Sequence, residues 1–108
     1  MTLPSTQPVY STLGADPDLG ELVEMFASEM PDRIDNLLRL YNGEDREEFR
    51  RAVHQIKGAA GSYGFHAITP SAARLEISLK TEQPEEQIQQ ELNELLDLCR
   101  RVRSGVPE

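Results

Sequence analysis

The chain has 108 residues, 38% hydrophobic and 28% charged, with 11 basic against 19 acidic residues and a formal net charge of −8. That length holds one small core and leaves no room for a second domain. The acidic balance argues against nucleic acid as the main partner, because binding phosphates needs clustered positive charge. One cysteine, Cys99, rules out an internal disulfide framework and fits a reducing cytoplasm. It lies in an apolar stripe, where a buried and inert thiol is the commoner case. No stretch approaches the roughly 18 continuous apolar residues of a membrane span, and the N-terminus has no basic-then-apolar signal pattern. A cytoplasmic protein without a membrane partner is expected.

Residues 1–16 are rich in Pro, Ser, Thr and Gly and are expected to form a flexible N-terminal arm. Asp16-Pro17 has the form of an N-cap followed by proline in a first helical turn, with Asp18 and Glu21 next. Leu22, Phe26, Met30, Ile34, Leu37 and Tyr41 recur at helical spacing up to Asn42-Gly43, a natural stop. Pro31 interrupts this stretch, which predicts a kink or two successive helices. Asp45-x-x-Glu48 is a capping box opening a helix that carries Phe49, Val53, Ile56, Ala60 and Tyr63, with Gly64 as terminator. Ile68, Ala72, Leu75 and Leu79 mark a third helix, in which Pro70 is tolerable only in the first turn. Thr81 to Pro84 form a turn. Ile88, Leu92, Leu95, Cys99 and Val102 mark a fourth helix ending at Ser104-Gly105, and 105–108 form a tail. No strand-like alternation occurs. These elements predict an all-α fold: an antiparallel up-and-down four-helix bundle over 17–104, with a short extra N-terminal helix or a kinked first helix.

The segment from His54 to Gly61, His-Gln-Ile-Lys-Gly-Ala-Ala-Gly, carries the functional signal. On a helix advancing 100° per residue, His54, Lys57, Gly58 and Gly61 share an arc of roughly 100°, opposite Val53, Ile56 and Ala60. Two interior glycines cost about 1 kcal/mol each relative to alanine. Close helix packing is the ordinary reason for such glycines, but these two lie on the histidine's face and not on the apolar one. A face cleared of side chains beside an imidazole suits the approach of something large. Lys57, at i+3, can reach a group attached to the ring and would favour a phosphoryl group through charge-assisted hydrogen bonds. Arg50, at i−4, projects to the same side and adds positive potential, although a solvated charge is an equally common outcome there. An unperturbed imidazole titrates near pH ~6.5, so at neutral pH it mostly offers a nucleophilic nitrogen, and histidine forms covalent intermediates.

This run, together with Gly64, resembles the His-x-Leu-Lys-Gly-x-x-Gly-x-x-Gly signature of histidine-containing phosphotransfer (HPt) domains. Asp45, nine residues before the histidine, and the segment Ala72, Leu75, Glu76, similar to that family's A-x-x-L-E, extend the resemblance over about 17–103. Ile56 in place of leucine and the position of Pro70 are the departures. The resemblance implies a four-helix bundle that neither binds ATP nor phosphorylates itself. His54 would accept a phosphoryl group on Nε2 from a receiver-domain phosphoaspartate and pass it to another receiver's aspartate. Lys57 would neutralise phosphoryl charge. Gln55 would shape the docking surface with Arg50, and Gly58 and Gly61 would admit the receiver's loops. It implies no cofactor of the chain's own, with Mg2+ supplied by the receiver, and response-regulator receivers and a hybrid sensor histidine kinase as partners of a monomer. With Met1 at its start and no kinase or receiver segment, the chain is expected to stand alone.

His66, the only other histidine, is expected to be a surface or capping residue. Twelve helical residues would put it about 18 Å from His54, too far to share a metal. Acid–base catalysis by His54 lacks a pocket, because the outer face of a bundle offers little concavity. The competing reading is a noncatalytic helical adaptor that docks a partner through the glycine-rich face and is never phosphorylated.

Overall fold

A computed structural model describes residues 7–105. It contains β1 (Val9–Tyr10), α1 (Gly20–Tyr41), α2 (Arg46–Ser62), α3 (Ile68–Lys80), α4 (Glu85–Arg100) and β2 (Val102–Arg103). Each helix packs on its sequence neighbour and α4 closes back onto α1, which makes the expected all-α four-helix bundle. Aromatic pairs fix the antiparallel sense. Phe26, early in α1, stacks 5.3 Å from Tyr63 just past the end of α2, while Tyr41, at the end of α1, lies 5.5 Å from Phe49 early in α2.

The helical periodicities hold because one stripe of each helix is buried. Phe26, Met30, Ile34, Leu37, Phe49, Val53, Ile56, Ala60, Ile68, Ala72, Leu75, Leu79, Ile88, Leu92, Leu95 and Cys99 line one core. Burial pushes the Cys99 thiol up to about 12, so it stays protonated and inert. Asp45 caps α2 by accepting from the Glu48 N–H at 3.0 Å. Pro70 sits in the first turn of α3, where its missing N–H breaks no helical bond.

Several expectations need correction. Asp16 does not open α1. Its carboxylate accepts from the N–H groups of Asp18 and Leu19 at 2.8 and 2.9 Å, closing a turn, and the helix starts at Gly20. Val23 is buried and Leu22 is 40% exposed, because at 100° per residue Val23 lies nearer the centre of the stripe formed by Phe26, Met30, Ile34 and Leu37. Pro31 does not divide the helix: α1 runs unbroken from Gly20 to Tyr41. No short extra helix precedes it among the described residues. α4 stops at Arg100, and Val102, expected to be helical, is buried in a strand instead.

The expected flexible arm is fastened down where it is described, while residues 1–6 and 106–108 lie outside the described residues. Val9 and Tyr10 pair in parallel with Val102 and Arg103. The chain then crosses the α2–α3 junction, where Ser11 Oγ donates to the Tyr63 carbonyl and Thr12 N–H to the Gly64 carbonyl. Gly64 is required twice over. Its φ is +80°, and a Cβ there would lie 2.6 Å from Ser11 Oγ and 2.8 Å from Thr12 Oγ1.

Candidate functional site

His54 lies midway along α2, on the side of that helix that meets α3, and its side chain is 61% exposed. The ring is not free to rotate: Nδ1 lies 2.7 Å from Oε2 of Glu76 on α3. The other oxygen of Glu76 accepts from Lys57 Nζ. Glu76 itself is 2% exposed. Burial acts to raise its pKa, but the hydrogen bonds from Lys57 and then His54 outweigh burial and hold it below the usual carboxylate value of 4.5. The carboxylate is therefore ionised at neutral pH and can only accept. Nδ1 must then carry the proton, and the unprotonated nitrogen of the neutral ring is Nε2. With Nδ1 bound at the α3 side, Nε2 is left at the solvent-exposed edge of the ring.

More positive charge converges on this carboxylate. Arg50 Nη1 lies 3.6 Å and Lys80 Nζ 3.9 Å from Oε2 of Glu76. Arg50 is also held by Glu47, its Nε donating at 2.9 Å and its Nη2 to the second oxygen. Arg51 Nε stands 3.9 Å from that second oxygen of Glu47. A depression of about 300 Å³ lies beside the imidazole, lined by Arg50, Arg51, His54, Gln55, Glu76 and Lys80. The bundle surface is thus less flat here than expected, because the cleft between α2 and α3 opens where Glu76 is set below the histidine. Its single carboxylate is already satisfied by cations, so the donor set does not suit Mg2+.

The glycines behave as the wheel required. A Cβ on Gly58 would meet nothing within 4 Å, and one on Gly61 would touch only Thr69 Oγ1 at 3.5 Å. Neither glycine is needed for helix contact, and both lie on the exposed face with His54 and Gln55. Lys57 turns inward to Glu76, with its side chain 29% exposed. His66 is exposed and lies 3.2 Å from Thr12 Oγ1, away from the site. No cluster of three or more His, Cys, Asp or Glu side chains able to hold a metal forms among the described residues.

His54, Lys57, Arg50, Gln55, Gly58 and Gly61 are therefore brought together on or beside one surface, as their shared helix dictates. Sequence reasoning missed Glu76, Arg51 and Lys80 as members of this group. Glu76 did leave a signal, since it lies one turn after Ala72 and beside Leu75 and Leu79 on the core-facing stripe of α3, where an unpaired charge would be costly.

An exposed imidazole braced by a buried carboxylate thus stands on the open face of a four-helix bundle. Residues 21–105 match the family model for the Hpt domain, and the chain belongs to that family. No curated protein and no solved structure matches the chain at significance. Hpt domains are phosphotransfer modules of two-component phosphorelays that interact with receiver domains and kinases, so this chain takes part in histidine phosphotransfer. No described helix is long and apolar enough to cross a membrane.

Proposed function

We propose that His54 is the phosphoacceptor, taking a phosphoryl group on Nε2 from the phosphoaspartate of a receiver domain and passing it to the aspartate of another. The observation that carries this reading is the hydrogen bond between His54 Nδ1 and the buried Glu76 on an otherwise exposed ring. In the transfer step the Nε2 lone pair forms a bond to phosphorus while the aspartyl oxygen–phosphorus bond breaks, and the aspartate leaves with that electron pair. No proton has to move. The ring becomes a cation, with Nδ1 still protonated and the phosphoryl group on Nε2, and the Glu76 carboxylate compensates the new charge.

Lys57 holds the second oxygen of Glu76, which keeps that carboxylate ionised, and supplies positive charge close to the phosphoryl group. Gly58 and Gly61 leave the receiver's loops free to close over the ring, and Gln55 and Arg50 border the contact. Mg2+ belongs to the receiver, whose acidic pocket would face the basic depression. The chain acts as a carrier and has no kinase activity of its own. The proposed setting is the cytoplasm, with a hybrid sensor kinase upstream and the chain acting as a monomer.

The test is incubation with a receiver domain carrying a labelled phosphoryl group. Label should move to this chain, be lost in acid and survive base, and be absent from His54→Gln at unchanged helical content. Binding without uptake of label would favour the adaptor reading, and label retained by His54→Gln would place the acceptor elsewhere.

A further inference from the structure

The charges around His54 do not cancel. Arg50, Arg51, Lys57 and Lys80 face two carboxylates, Glu47 and Glu76. Two positive charges remain over, in a chain whose formal net charge is −8. A phosphoryl group carries about −1.5 to −2 at neutral pH, so the surplus matches what the imidazole would receive.

The four cations are not equally available to it. Lys57 is tied inward to Glu76 and does not line the depression beside the ring. Arg50 is fixed by a two-pronged contact with Glu47, and Arg51 leans on the same carboxylate. Lys80 differs. Its Nζ stands 3.9 Å from an oxygen of Glu76 that His54 Nδ1 already takes at 2.7 Å, and Lys57 holds the other oxygen. Lys80 and Arg51 are therefore the two cations without a carboxylate to themselves, and of the two only Lys80 reaches the carboxylate that holds His54. Its side chain is 55% exposed, it borders the depression, and it reaches an oxygen that the imidazole also touches. A lysine is a compact charge on a flexible stem with three rotatable donors, so its ammonium can swing a few ångströms toward a new anion at small cost.

We infer that Lys80, contributed by α3, binds the phosphoryl oxygens of phosphorylated His54 from within this depression. The inference rests on the proposed phosphorylation of His54 and adds a second helix to the phosphoryl site. Lys57 and Lys80 then have separate tasks. Lys57 holds Glu76, which fixes the ring, and adds its positive charge from that fixed position, whereas Lys80 leaves Glu76 for the phosphoryl group once it arrives.

The test uses the whole protein phosphorylated with phosphoramidate and followed by phosphorus NMR against pH. A cation on the phosphoryl oxygens favours the dianion. Lys80→Gln should therefore raise the pH of the phosphoryl group's second ionisation, weakening the ionisation constant about threefold, while Lys80→Arg keeps the original value. A lysine that only braced Glu76 would leave this ionisation where it was. An unchanged value in Lys80→Gln, or the same shift in Lys80→Arg, overturns the assignment, as does a larger shift in Arg51→Gln. If the unsubstituted protein takes up no phosphoryl group, the proposed function fails and this inference with it. Uptake with an unresponsive Lys80→Gln removes Lys80 alone.

Discussion

Two helix seams of this bundle each bury a glutamate, and they use it in opposite ways. In the α2–α3 seam, Glu76 receives an imidazole and a lysine ammonium, with two further cations within 4 Å. In the α3–α4 seam, Glu91 accepts from the hydroxyl of Ser78, which in turn accepts from Gln87 Nε2 at 3.3 Å. Both glutamates are well covered, Glu76 at 2% and Glu91 at 7% exposure. The difference lies in the donors. A neutral hydroxyl satisfies a carboxylate, and the amide of exposed Gln87 beyond it carries no charge and no nucleophile. A histidine whose far edge faces solvent makes the buried charge felt at the surface. Burial alone does not mark a functional carboxylate; what shares its hydrogen bonds does.

The largest expected effect comes from Glu76→Ala. The substitution leaves Nδ1 free to lose its proton and strands Lys57 in the seam. We expect phosphotransfer to fall at least about tenfold, since the loss of one aimed ionic hydrogen bond is worth about 1.5–3 kcal/mol, together with a lower denaturant midpoint for unfolding. Glu91→Ala should lower that midpoint as well and leave the transfer rate unchanged. Equal loss of transfer in the two variants would erase the distinction between the seams.

Acid titration separates the seams by another route. The folded pKa of Glu76 lies below 4.5, so as the pH falls the unfolded chain takes up that proton first. The stability contributed by Glu76 is therefore fully present above pH 4.5 and is lost as pH falls through its depressed folded value. Unfolding free energy measured by urea titration should decline more steeply with acid in the unsubstituted protein than in Glu76→Gln. Parallel curves would mean that Glu76 is not held ionised by its partners.

Much of this arrangement was legible in the sequence, because most of it is local. The helical repeats report their own buried stripes, and His54, Lys57, Gly58 and Gly61 reach one surface through spacing on α2 alone. Glu76 lies 22 residues from His54 and on another helix, and only the packing of α3 against α2 brings the two together. Lys80 was illegible for the same reason. Val102 misled because its three-residue step from Cys99 continues the helical pattern, yet the Arg101 N–H turns back to the Leu98 carbonyl and ends α4. The strands that follow are two residues long, too short to show any alternation, and their pairing rests on backbone bonds such as Val9 N–H to the Arg101 carbonyl at 2.7 Å. Leu22 and Val23 are both apolar and both fall at helical spacing from Phe26, so the choice between them turns on the centre of the whole stripe, which lies on the side of Val23.

A milder change sharpens the contrast from the structural side. Ser78→Ala removes the hydroxyl that serves Glu91 and should cost about 1 kcal/mol, read as a shift in the urea midpoint. Transfer from a phosphorylated receiver should proceed at its original rate. A slower rate would mean that the α3–α4 seam is coupled to the site through Glu76, two residues before Ser78 on α3.

Gly58→Ala should have the smallest effect on stability, and its sign is the informative part. An added Cβ would meet nothing within 4 Å, the position is exposed, and the backbone is helical. Alanine there should stabilise the fold by up to about 1 kcal/mol, since glycine costs about that much in a helix interior. A bulkier replacement, Gly58→Leu, should keep most of that gain and still slow transfer, chiefly by weakening association with the receiver. A more stable protein that transfers more slowly would show that this glycine is kept for access at the expense of the helix. If Gly58→Leu transfers as fast as the original, the clear face beside His54 is not where the receiver's loops settle, and the glycine needs another explanation.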